Sequence, residues 1–256
     1  MDTLCGRHIV VTRPEAQAGH LCEAIAARGG VPVLFPLLAI APASDPAELE
    51  SIVGRLEGFD LAFFVSPNAV QHAMRFILAR RRWPGSVQVA TVGKGSERTL
   101  AEFGFDAVIA PESGFDSEAV IALPQFAPDQ ISGRRVVIFR GDGGRDLLAT
   151  TLRARGAEVE YVTCYRRYCP ELDAGPMIEL ARAGQLDAIT LTSSEGVPNL
   201  VQLLGNNGLA AVREVPVLVP HSRIAAAARE AGFVRVIETG AGDAGLLQSL
   251  DALFAR

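Results

Sequence analysis

The sequence predicts an α/β protein of two similar domains, each a parallel sheet flanked by helices, and three observations predict it. Arg134–Tyr168 reads as strand, glycine turn, helix, glycine stop and strand, which is one βαβ unit. The same unit recurs at Arg7–Leu38. An offset of 127 lays Gly6 on Gly133, Arg13 on Arg140, Leu21 on Leu148, Arg28-Gly29 on Arg155-Gly156 and Leu38 on Tyr165. The offset holds downstream, where Asp60 falls on Asp187, Ser66 on Ser193 and Gly93 on Pro220; after one residue of slippage, Glu102–Phe105 falls on Glu230–Phe233. A period this long marks a duplicated domain rather than a solenoid repeat. Finally, 49% of the 256 residues are apolar, as expected of sheets covered on both faces.

The elements follow in order. Ile9–Val11 is a buried strand, Thr12-Arg13-Pro14 the turn into a helix over Gln17–Arg28, and Gly29-Gly30 its stop. Val31–Ile40 is extended, Pro42–Pro46 a connector and Pro46–Leu56 a helix. Leu61–Val65 is a strand, Ser66-Pro67-Asn68 a turn, and Ala69–Arg80 a helix whose end, Arg80-Arg81-Arg82, reads as a solvated last turn favoured by the helix dipole. Val87–Val92 is a strand, followed by the turn Gly93–Ser96, a helix over Glu97–Phe103, the stop Gly104 and a short strand Ala107–Ala110. Phe115–Leu123 is a helix and Pro124–Ser132 a linker to the second copy.

In that copy Val136–Phe139 is a strand broken by Gly141, Gly143 and Gly144, with Asp142 or Asp146 as cap of a helix over Asp146–Arg155. Val159–Tyr165 alternates, placing Val159, Tyr161, Thr163 and Tyr165 on one face and Glu160, Val162 and Cys164 on the other. Pro170–Pro176 is irregular. The order then repeats with strand Ala188–Thr192, turn Ser193–Gly196, strand Val215–Val219, turn Pro220–Ser222, strand Arg235–Thr239 and helix Leu246–Phe254.

The net charge of −5 gives no electrostatic support for binding nucleic acid or an anionic membrane. Of the basic residues only Lys94 is not arginine, which reads as a compositional bias. Cys5, Cys22, Cys164 and Cys169 show no metal-ligand spacing and read as reduced thiols. Met1–Gly6 does not read as a secretory signal and no apolar run approaches a membrane span, so the expectation is a cytoplasmic protein.

Six turns follow strands, at Thr12–Pro14, Ser66–Asn68, Gly93–Ser96, Arg140–Gly144, Ser193–Gly196 and Pro220–Ser222. Ligands of open α/β sheets bind at such carboxyl ends, and each turn opens a helix whose free N–H groups suit carboxylates or phosphates. Each turn reads equally well as a helix cap without a ligand. No GxGxxG, P-loop, GxSxG or paired His/Cys ligand set is present, so no cofactor and no metal are expected. His8, His20 and His72 read as structural, and only His221 lies in one of these turns. Composition and spacing stop at a two-domain binder of something anionic.

The wording of the turns goes further. VVTRPEAQAGHL at the N-terminus, FVSPNAV (Phe64–Val70), TVGKGSERTL (Thr91–Leu100), FRGDGGRDLLATTLRARGAEVEYVTCYRR (Phe139–Arg167) and LTSSEGVPNL (Leu191–Leu200) closely resemble the uroporphyrinogen-III synthase family. The resemblance spans nearly the whole chain, in order. It implies that the chain crosses between domains, one made of residues 1–36 and 172–256 and the other of 38–170, joined by a two-stranded hinge near 35–40 and 165–171 with the active site in the interdomain cleft.

It also implies a reaction, closure of hydroxymethylbilane to uroporphyrinogen III with inversion of the last pyrrole ring and loss of water. The implied partner is hydroxymethylbilane synthase as supplier, and the implied state a monomer. Tyr165 matches the family's hinge tyrosine, with the implied role of proton donor to the leaving hydroxyl. Ser66, Asn68, Ser96, Ser193, Ser194 and Ser222 would hold substrate carboxylates, with Arg13 and Arg140 as bidentate partners or as ties within their own turns, and Lys94 added from its turn alone. The sequence departs from the family at Val65 and Ser96, where threonine is frequent, and at Pro220-His221-Ser222-Arg223, which replaces a glycine turn. The rival readings are a non-catalytic two-lobed binder of an anionic small molecule and a nucleotide-dependent transferase, the latter lacking a phosphate loop.

Overall fold

The computed structural model describes residues 2–255. In chain order it contains β1 (His8–Val11), α1 (Glu15–Ala26), β2 (Val31–Leu34), β3 (Ala39–Pro42), α2 (Ala47–Arg55), β4 (Leu61–Phe64) and α3 (Pro67–Leu78). There follow β5 (Gln88–Thr91), α4 (Lys94–Glu102), β6 (Val108–Ile109), α5 (Ser117–Ile121), α6 (Pro128–Ile131), β7 (Arg135–Gly141), α7 (Leu147–Ala154) and β8 (Glu158–Tyr168). The chain closes with α8 (Gly175–Arg182), β9 (Leu186–Thr190), α9 (Gly196–Val212), β10 (Val217–Val219), α10 (Ser222–Glu230), β11 (Val236–Glu238) and α11 (Gly242–Phe254).

These elements form two compact units, one running up to Ala39 and resuming at Tyr168, the other Ile40–Arg167. The first unit is built on a five-stranded sheet ordered β11-β10-β9-β1-β2, parallel throughout. Its two faces bury separate apolar clusters, one around Val10, Ile189 and Leu200, the other around Ile9, Leu21 and Leu246. The second unit carries a six-stranded sheet ordered β3-β8-β7-β4-β5-β6, in which β8, β7, β4, β5 and β6 pair in parallel. One face buries Val137, Phe139, Val162 and the α3 residues Ala69, Val70 and Ala73; the other buries Val136, Ile138, Phe63 and Leu152.

The 127-residue repeat is visible in backbone hydrogen bonds. Gly6 N–H donates to Gly29 O at 2.8 Å, and Gly133 N–H donates to Gly156 O at 2.8 Å. Gly29 and Gly156 stop their helices at φ of 77° and 89°, a left-handed conformation that glycine adopts without steric cost. The two copies also exchange partners. His8 N–H donates to Asp187 at 2.9 Å, while Arg135 N–H donates to Asp60 at 2.8 Å. Each unit therefore combines the first βα segment of one copy with the later strands of the other.

Several expectations are corrected. Pro124–Ser132 is not an open linker, because a 3₁₀ turn at Pro124–Phe126 and the short α6 bury Phe126 and Ile131. Beyond the irregular Pro170–Pro176 and the turn Ser193–Gly196, the pattern assigned no element where α8 and α9 lie, the latter kinked at Gly205. Neither Asp142 nor Asp146 caps α7 through its side chain: Asp142 accepts from Arg167 N–H at 2.9 Å and Asp146 from Arg140 at 2.9 Å. A charged guanidinium and an exposed strand N–H each compete for a carboxylate that a helix end would otherwise take.

Candidate active site

The site begins with a register shift between β7 and β8. Arg140 pairs with Thr163, but the next residue, Gly141, pairs with Tyr165, leaving Cys164 as the extra residue of a bulge. Strict alternation puts Tyr165 on the face of Val159 and Tyr161. The bulge turns it over instead, so that Tyr165 packs with Val162, Cys164 and α3, while Tyr161 stays on the other face. This corrects the sequence expectation for that strand. Two bonds hold the bulge, Asp142 N–H to Tyr165 O at 3.1 Å and Arg167 N–H to Asp142 Oδ1 at 2.9 Å.

Tyr165 is 6% exposed, and its hydroxyl lies 3.2 Å from Ser66 Oγ. Ser66 is the N-cap of α3 and accepts the N–H of Ala69 at 3.1 Å, the bond that serine at this position supplies. His72, on the same helix, stacks on the Tyr165 ring with centroids 5.8 Å apart and planes 25° apart. Burial pushes the Cys164 thiol up to about 12 and its Sγ donates to Arg140 O at 3.2 Å, so it is a packing group and not a nucleophile.

Burial, and then the Arg75 charge, pushes the His72 imidazole below its ordinary 6.5. The unfolded chain therefore takes up a proton before the folded chain does as the pH falls. The stability of this unit is expected to decline as pH drops through 6.5, and the decline to shrink in His72→Gln. Urea midpoints at about pH 7.5 and pH 5.5 check this; equal declines in the two proteins remove His72 as the cause.

The other candidates of this unit lie at its strand ends. Ser96 is buried in the first turn of α4, and Asn68 is half-buried in the first turn of α3. Lys94 pairs with Glu97 at 2.8 Å. Arg140 lies on the face opposite Tyr165 with its guanidinium over the Tyr161 ring at 4.4 Å. It donates to Gly143 O at 3.1 Å, Gly144 O at 3.3 Å and Asp146 at 2.9 Å. All these acceptors belong to its own turn.

In the first unit, Arg13 is ion-paired with Asp243, whose other oxygen meets His20 Nδ1 at 2.8 Å. Burial pushes the Asp243 carboxyl up, but the hydrogen bonds from His20 and Arg13 outweigh it and the net shift is downward. Ser193 Oγ accepts Glu195 N–H at 3.2 Å before α9. Ser194 Oγ is buried without a hydrogen-bond partner, the one such side-chain atom among the described residues. His221 caps α10 by accepting Arg223 N–H at 3.0 Å, which leaves the exposed Ser222 in the first turn. The Nδ1 of His221 is committed to the cap.

A family model described as uroporphyrinogen-III synthase HemD matches residues 19–248. The uroporphyrinogen-III synthase of Escherichia coli K12 is 30% identical over 249 residues, covering 94% of this chain and 99% of that one. That of Salmonella typhimurium is 32% identical over 254 residues, with the same coverage. The chain belongs to the uroporphyrinogen-III synthase family.

Uroporphyrinogen-III synthases also share its fold. A mutant of the Thermus thermophilus enzyme gives a TM-score of 0.60 at 17% identity, covering 97% of this chain and 98% of that one. The Helicobacter pylori enzyme gives 0.55 at 11% identity, covering 96% and 99%. As a uroporphyrinogen-III synthase the chain is an enzyme, a lyase of tetrapyrrole biosynthesis acting on a small-molecule tetrapyrrole. Among the described residues no helix is long and apolar enough to cross a membrane.

Sequence reasoning missed His72 and Gly141 as neighbours of Tyr165, and gave Ser66 a role on substrate carboxylates without its contact to the tyrosine hydroxyl. Both contacts of the ring join segments far apart in the chain. The glycine itself was legible, but as a strand breaker; only the bulge shows which ring lies over it.

Proposed function

We propose that the chain closes hydroxymethylbilane to uroporphyrinogen III with Tyr165 giving the proton that carries the hydroxyl away as water. The observation that supports this most is the Tyr165–Ser66 contact at 3.2 Å. Ser66 already accepts Ala69 N–H, so its own proton is free to go to Tyr165 Oη. A tyrosine that accepts there keeps its O–H for the substrate, and the chain of bonds polarises that O–H.

The carbon–oxygen bond of the hydroxymethyl group breaks as the tyrosine proton reaches the oxygen, and the pyrrole nitrogen supplies the electron pair that forms the azafulvene. The substituted α carbon of the last ring attacks the new methylene. The spiro intermediate opens at its other bridge, recloses at the free α carbon and loses that carbon's proton, which restores the tyrosine. Uncatalysed closure at the free α position gives the type I isomer, so the protein's main contribution is positioning.

The substrate carries eight carboxylates, two on each pyrrole. Arg13, Arg140 and Lys94 are already offset by Asp243, Asp146 and Glu97, so hydroxyls, the Asn68 amide and helix N-termini carry most of the binding. Ser96, Asn68, Ser193, Ser194 and Ser222 supply them, Ser194 Oγ gaining the partner it lacks. The chain works as a cytoplasmic monomer and takes hydroxymethylbilane from hydroxymethylbilane synthase, because a substrate that closes by itself must be handed over quickly.

The test is product isomer analysis. Freshly generated hydroxymethylbilane is supplied, the products are oxidised, and type I and type III uroporphyrin are separated by chromatography. Enzyme-dependent type III is expected. Type I alone at the blank rate would leave a two-unit binding protein.

A further inference from the structure

We propose that Gly141 is a positioning residue, whose missing side chain sets where the Tyr165 hydroxyl stands. The inference rests on the reading of Tyr165 as proton donor. Gly141 ends β7 in register with Tyr165, and its side-chain direction follows that of Val137 and Phe139, on the face where the bulge delivers the ring. A Cβ there would lie 2.6 Å from Tyr165 Cζ, 2.7 Å from Cε2 and 3.0 Å from Oη. Those are the atoms at the reacting end of the side chain. The backbone of Gly141 lies outside the left-handed region, so what demands glycine is the space and not φ.

The ring has little room to yield. His72 stacks on it, Ser66 meets its hydroxyl, and the Asp142 N–H fixes its carbonyl. Ordinary contact for an added methyl begins at 3.4 Å, so the hydroxyl end must move by roughly 0.8 Å. That displacement breaks the Ser66 geometry and takes the proton from its target. Misplacement on the scale of 1 Å costs about 100-fold in rate. A residue filling no space thus fixes a distance at the reacting oxygen.

The experiment compares Gly141→Ala, Tyr165→Phe and the double variant of the full chain. Each is read by kcat, KM and the fraction of type III product. Gly141→Ala is expected to lose about 100-fold in kcat with KM nearly unchanged, and the double variant to be no slower than the slower single one. Tyrosine rings labelled with 13C supply a readout independent of turnover, with Tyr165 assigned from its loss in Tyr165→Phe; its signal is expected to shift in Gly141→Ala.

A Gly141→Ala enzyme of wild-type kcat beside an impaired Tyr165→Phe, additive losses in the double variant, or an unmoved Tyr165 signal would overturn the proposal. Wild-type turnover by Tyr165→Phe sinks the proton-donor reading instead, and the ring signal then decides the positioning by itself. Should Gly141→Ala unfold, its destabilisation is measured again in a Tyr165→Ala background. Relief there supports the steric contact, and equal destabilisation in both backgrounds refutes it.

Discussion

Tyr165→Phe is expected to lower kcat for type III formation about 100-fold while leaving KM within a few-fold of the wild type. The substitution removes one oxygen and keeps the ring that Gly141, His72 and the α3 face enclose. Ser66 Oγ still accepts Ala69 N–H, and its own O–H, which loses the Tyr165 acceptor, is only part-buried, so stability changes by about 1 kcal/mol. Loss confined to kcat is the signature of an interaction used in the transition state. The residual product is expected to contain a larger share of type I, because substrate that waits closes by itself. Unchanged kcat with unchanged isomer ratio would make Tyr165 a packing residue and move the proton donor elsewhere.

Phe139→Ala is expected to destabilise the Ile40–Arg167 unit by about 3–5 kcal/mol. Phe139 is fully buried at the centre of β7 and stacks on Phe64 of the neighbouring strand, with centroids 4.9 Å apart and planes 12° apart. Truncation removes the aromatic pair and opens a cavity between strands that hydrogen-bonded neighbours keep from collapsing. Calorimetry should show one transition of this unit lowered by on the order of 10 °C. A shift of a degree or two would mean that α3 and Trp83 close the gap. The same strand ends in Gly141, so the variant is also expected to lose type III formation at temperatures where it is still folded.

The acid response divides between the two units. Below pH 6.5 the His72 contribution is lost first, because burial holds that imidazole neutral. The Asp243 contribution, which depends on its lowered value beside His20 and Arg13, is lost only as the pH falls through 3.8 and below.

The strands and most helices were legible because their signals are local. The apolar run Val136–Phe139, the glycine stop at Gly156, the proline and serine opening α3 and the 127-residue repeat each act within a few residues or by direct comparison. Gly6 and Gly133 make the same hydrogen bond because the same short sequence closes the same turn. The family was legible because the strand-end turns keep their wording. By itself, then, the sequence determined the parallel α/β class, the duplication, the family and the identity of Tyr165 as the residue to suspect.

What it left open depends on pairings that only the fold decides, or on a change of register that leaves no mark in composition. The exchange of Asp60 and Asp187 between copies is one such case. The ties of Arg140 and Arg13 to Asp146 and Asp243 are another, since a guanidinium near several carboxylates has no preferred partner until the fold supplies one. The bulge at Cys164 is the clearest. Alternation assigns each residue of a strand to a face only while the ladder stays in step; one extra residue reverses every assignment after it, and only pairing with β7 shows where the step is taken. Tertiary structure alone put Tyr165 against Ser66, His72 and Gly141, because a backbone bulge decides the face and the space left by a glycine decides the distance.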